Sequence, residues 1–149
     1  MRYVIGLFIG ILFISLSCTS TRSTDTAVIG KEKEAFSSKT KDTVRIANDS
    51  LEYEIIIIEP GFNFWLNSIA RPRGYYSQNF LENRNRILVI EYNIRVNSPL
   101  RFDPNLYPWR IDYSPGIDYG YEVNYLLYNY FIFFQRRYNQ RLSGFVPRV

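Results

Sequence analysis

The stretch from Asp118 to about Leu142 constrains the fold more than any other. Val123, Leu126, Leu127, Tyr130, Phe131, Phe134 and Tyr138 recur at spacings of three and four, the period of an α-helix. Tyr125, Tyr128, Ile132 and Phe133 extend the apolar surface round the rod. A helix apolar on most sides must be enclosed by other elements or by a partner. Its tyrosines, asparagines and glycine make it a poor membrane span. Asp118 is placed to cap its start, and Gly144 to end it. Glu122 near the positive end and Arg136, Arg137 and Arg141 near the negative end suit the helix dipole.

The elements available to enclose it precede it in the chain. Thr43 to Ala47 and Leu51 to Glu59 read as two strands joined by Asn48-Asp49-Ser50, residue types that tolerate left-handed turns. In the second strand Leu51, Tyr53, Ile55 and Ile57 share one face. Ile56 and Ile58 on the other face predict burial on both sides at its end, and Pro60-Gly61 stops it. Phe62, Trp65, Leu66 and Ile69 give a short helix, closed by Arg71-Pro72 because a residue before proline avoids the α region.

Ser77 is placed to cap a longer helix that runs to about Asn97, where Ser98-Pro99 ends it. Phe80, Leu81, Ile87, Leu88, Tyr92 and Val96 are its expected apolar face. Residues 88–96 also alternate in the manner of a strand, but 79–86 do not, and the span lacks Gly and Pro. Leu100 to Ile117, with Pro104, Pro108 and Pro115, reads as a long loop clasping the core through Tyr107 and Trp109. The expected fold is therefore a small single α+β domain: an N-terminal β-hairpin packed with two longer helices and one short helix.

The N-terminus predicts an address. Arg2 is followed by the apolar run Tyr3 to Leu16, then Ser17 and Cys18, the only cysteine. A basic start, a short apolar core and a small residue at the cut are the pattern of a secretory signal. The run is shorter than the roughly 20 residues that span a bilayer. Cys18 is the expected lipid acceptor, although Ser15 stands where such signals usually carry leucine. A lone thiol has no internal disulfide partner, and two or more acyl chains make a stable anchor. The expected organisation is a lipoprotein signal over 1–17, a lipidated cysteine and disordered tether over 18–42, and an aromatic-rich domain over 43–149.

Thr19 to Asp42 is rich in Ser, Thr and mixed charge. As a coil it would span about 25–30 Å. Asp25-Thr26-Ala27, Asp42-Thr43-Val44 and Asp49-Ser50-Leu51 each resemble a short bacterial O-glycosylation pattern.

Composition narrows the chemistry. The chain has 13 Tyr, 11 Phe and 2 Trp in 149 residues, enough rings to fill a small core. From Thr43 onward 12 arginines face 10 acids with no lysine, a balance that argues against nucleic acid as a partner. There is no histidine, which removes the commonest general base and metal ligand. No zinc spacing, phosphate loop or nucleophile elbow occurs. The expectation is a protein that is not an enzyme and takes no cofactor or metal. Asp103, Asp112 and Asp118 are too scattered for a calcium loop.

Arg71, Arg73, Tyr75 and Tyr76, with Trp109, are the candidate ligand-binding residues, a composition suited to an anion or a sugar ring. The opposing reading places the tyrosines over the core and pairs the arginines with carboxylates. Glu91, Asp112 and Glu122 are the loose candidates for a carboxylate hydrolase, which would need two carboxyls about 5–10 Å apart.

The segments Thr43 to Tyr53, Arg71 to Ser77 and Asp118 to Tyr125 resemble a family of small Gram-negative lipoproteins of unknown function. The resemblance spans roughly 43–142 and implies a single domain behind a lipid anchor. It brings no site residue. The expected role is a noncatalytic envelope module, tethered to the periplasmic face of the outer membrane and contacting a protein partner. The inner membrane and the cell surface are alternative addresses, and ligand binding is an alternative role.

Overall fold

The computed structural model describes residues 22–39 and 43–144. The expected signal segment over 1–17 and the expected lipid acceptor Cys18 lie outside the described residues. The chain divides after Gly30, and the compact unit begins at Lys31. The element order is α1 (Arg22–Ser37), β1 (Thr43–Asn48), a 3-10 turn (Asp49–Leu51), β2 (Tyr53–Ile58), α2 (Phe62–Ser68), α3 (Gln78–Val96) and α4 (Gly120–Arg137). This is a small α+β fold, as the sequence predicts.

The disordered tether is the first expectation to be corrected. Residues 22–37 are helical, and the compact unit begins at Lys31 rather than Thr43. Within that unit Glu32 and Ala35 are buried, and Phe36 meets the Phe133 ring edge-on at 5.6 Å. The polar composition of this stretch hides an anchoring trio at positions i, i+3 and i+4. Gly61 records how closely that helix end approaches. Its φ is +82°, and a Cβ there would lie 1.9 Å from the Ala35 carbonyl oxygen. Only glycine meets both conditions.

β1 and β2 pair antiparallel, from Thr43 opposite Ile58 to Asn48 opposite Tyr53. The turn differs in detail from expectation. Asn48 stays extended and its side-chain oxygen accepts from the Ser50 N–H at 3.1 Å. The left-handed residue is Glu52, at φ +51°. Val44, Ile46 and Ile57 face the core. Ile56 and Ile58 are exposed, so the end of β2 is buried on one face only.

α3 starts as predicted, with Ser77 Oγ accepting from the Phe80 N–H. Residues 87–96 are helix. Its buried face is Leu81, Asn85, Leu88, Val89 and Tyr92. Ile87, expected on that face, is instead exposed, together with Ile90 and Ile94. At about 100° per residue these isoleucines form one narrow stripe opposite the buried face. Two apolar faces on one helix explain why its sequence resembles a strand.

α4 is the enclosed rod that its sequence demands. Every residue from Val123 to Gln135 is buried. Its rings gather those of its neighbours: Tyr128 meets Tyr76 and Phe80, Phe134 meets Tyr92 and Tyr107, and Phe133 meets Phe36, Phe62 and Trp65. Three buried amides place their N–H groups on the helix itself. Asn124, Asn129 and Gln135 each donate to the carbonyl four residues back. α4 ends at Arg137, not near Leu142, because Asn139 turns left-handed at φ +49°. The Gln140 N–H then bonds the Gln135 carbonyl at 2.8 Å, a Schellman closure made with Asn in place of Gly.

Candidate functional site

The loop between α2 and α3 carries the arginine–tyrosine cluster, and its groups are engaged with α4 and with one another. The Arg73 guanidinium makes a fork with Glu122, Nε to Oε2 at 2.8 Å and Nη2 to Oε1 at 2.5 Å, and lies 4.6 Å from the Tyr125 ring centre. The Glu122 carboxylate raises the guanidinium's already high pKa. Both partners are half exposed, so the pair contributes less than about 1 kcal/mol. The Gly74 N–H donates to the Tyr121 hydroxyl at 2.6 Å, and the Tyr125 hydroxyl donates to the Arg71 carbonyl at 2.8 Å. Tyr76 stacks on Phe80 at 4.7 Å, while Tyr75 is exposed with Arg71 over its ring.

Trp109, the fifth candidate, sits on the long loop after α3 and is 80% exposed. Tyr107 clasps the core as expected, and Trp109 does not. The other tryptophan, Trp65, is fully buried. Acrylamide should therefore quench one component of the tryptophan emission, and Trp109→Phe should leave only blue-shifted, protected emission. Unchanged quenching in that variant would contradict the placement.

None of the five candidates lines any of three cavities in the fold. The hydrolase candidates are likewise dispersed. Glu122 is tied to Arg73, while Glu91 and Asp112 line none of these cavities. Among the described residues no three acidic, histidine or cysteine side chains are gathered as metal ligands.

The cavities are lined by residues that the sequence assigns to caps, loops and helix faces rather than to a binding or catalytic site. One of about 280 Å³ lies between α3 and the loop before α4, where Gln78 Nε2 bridges Glu82 and Asp118 at 2.8 and 2.7 Å. Burial there pushes Tyr113 up to about 12. A second, of about 370 Å³, borders the Glu32–Arg136 pair.

A third, of about 360 Å³, brings Glu59 at the end of β2 to Tyr92, Asp103, Tyr130 and Tyr138. Tyr138 donates its hydroxyl to Glu59 Oε2 at 2.9 Å. Burial raises the Glu59 carboxyl pKa, against the lowering effects of that bond and of Arg137. Burial also pushes Tyr92 and Tyr138 to about 12 and Tyr130 well above its ordinary value, so all three phenols are neutral at pH 7. Glu59 and Tyr138 stand 79 positions apart, beyond the reach of any local motif.

Residues 6–147 match the model of DUF6146, described as a family of unknown function. The chain belongs to DUF6146. The match covers nearly the whole sequence, so the fold described above is that of a DUF6146 member. No curated protein and no solved structure matched this DUF6146 chain.

Proposed function

We propose that this DUF6146 protein is a lipid-tethered envelope module that works by binding a protein partner rather than by catalysis. The leader and Cys18 support the tether, with the periplasmic face of the outer membrane as its address. The observation that carries the partner-binding part is the outward stripe Ile87, Ile90 and Ile94, each about half exposed on α3. β-branched side chains on a solvated helix face give no packing return and lower helix propensity. An aligned exposed stripe of them marks a contact surface. Its expected occupant is a protein segment with a complementary apolar face. The competing anion-binding role is less well served, because Arg73 is already paired with Glu122.

Two measurements test the two halves. Replacing Ile87, Ile90 and Ile94 by Gln should change stability by no more than about 0.5 kcal/mol per site while abolishing co-purification of the partner after envelope crosslinking. A large loss of stability would show that the stripe belongs to the core. For the anchor, Cys18→Ser should abolish the diacylglyceryl mass increment and release the protein from the membrane fraction. An unchanged mass would exclude lipidation.

A further inference from the structure

The cavity beside Glu59 is walled by rings, carries two carboxylates and has no arginine or lysine in its lining. Its floor is set by Tyr92 and Tyr130, both buried, and its rim by Tyr138, Leu106 and Asp103. Tyr138 satisfies one Glu59 oxygen, Oε2. Oε1 accepts no hydrogen bond from the described residues. Arg137 acts on Glu59 through space and lies over the Tyr138 ring at 5.5 Å, while its Nη1 donates to the Pro60 carbonyl, so it leaves Oε1 open. A partly buried carboxylate with a free oxygen favours a positive guest over a neutral one. Phenol faces attract the same guest through their ring quadrupoles. A hard metal ion would want six or more oxygens close together, and two carboxylates backed by rings do not provide that.

We propose that this cavity binds an organic cation, an alkylammonium or guanidinium group, with Glu59 as its counter-ion, Tyr92 and Tyr130 as its aromatic wall and Tyr138 holding the Glu59 carboxylate in place. Asp103 at the rim adds a second negative charge, while its Oδ1 holds the loop by accepting from the Asn105 N–H at 2.9 Å. The guest is either a free small cation or a basic side chain carried by a partner. The site is independent of the isoleucine stripe, so each proposal stands or falls alone.

The test is an NMR titration of the full chain at constant ionic strength with tetramethylammonium chloride, N-acetyl-argininamide and, as the neutral control, glucose. At least one cation should give saturable shifts at Leu106 and Tyr138, and glucose should give none. Tighter binding of the arginine derivative would point to a partner's side chain, and tighter binding of tetramethylammonium to a free quaternary cation. Glu59→Gln retains an acceptor for Tyr138 and should weaken binding about tenfold or more, the size expected for losing a charge-assisted contact. Asp103→Asn, which keeps its loop hydrogen bond, should weaken it less. Absence of saturable shifts with both cations, equal shifts with glucose, or unchanged affinity in Glu59→Gln would overturn the proposal.

Discussion

Phe133→Ala should destabilise the domain by about 3–5 kcal/mol, the range for truncating a fully enclosed aromatic ring. Phe133 has no exposed surface. Its ring is the meeting point of α1, α2 and α4, with centroids 5.6 Å from Phe36, 5.3 Å from Phe62 and 5.9 Å from Trp65. Arg137 lies over the same ring at 5.6 Å. The neighbours are held by their own helices and cannot all move inward, so most of the vacated volume would persist as a cavity. A loss of this size is a large share of the roughly 5–15 kcal/mol that stabilises an ordinary domain. Urea unfolding monitored by buried Trp65 measures it, and a change below about 1 kcal/mol would show that the ring is not central.

Glu32→Ala should cost about 3 kcal/mol, the lower end for breaking a buried ion pair from one side. The Glu32 residue is 7% exposed, and its carboxylate takes two guanidinium nitrogens of Arg136, Nε on Oε1 and Nη2 on Oε2. It also accepts from the Trp65 indole N–H at 3.2 Å. Truncation strands both donors. Arg136 retains some access to water, which keeps the cost from the top of the range. A double-mutant cycle with Arg136→Met should return a coupling energy of about 1–3 kcal/mol. Strict additivity of the two substitutions would contradict the pairing.

The two predictions fall on residues with very different visibility in the sequence. Phe133 lies in a run whose all-round apolarity demands enclosure, and α4 is indeed the buried rod. The Ser77 cap and the short helix after Gly61 were equally legible, because each depends on chemistry within a few residues. Glu32 was not. It sits in a polar stretch that reads as a tether, and its partner Arg136 is 104 positions away. The same distance problem hides the Glu59–Tyr138 cavity. Local signals also misplaced two features that were close at hand. Gly144 was the obvious helix stop, but Asn139 closes α4 first. Ile87 fitted the inner face of α3 by hydropathy, but the inner face turned out to be set by Leu81, Asn85 and Leu88, on the opposite side.

On the function proposed above, a lipid-held domain meets a protein through the outer face of α3. A photo-reactive amino acid at position 90, introduced into the intact cell, would capture that contact. One discrete adduct is expected in the membrane fraction, lost when Ile87 and Ile94 become Gln and absent when the same probe replaces exposed Lys33. A probe at position 90 that yields only the uncrosslinked chain, or an adduct unchanged by those substitutions, would contradict it.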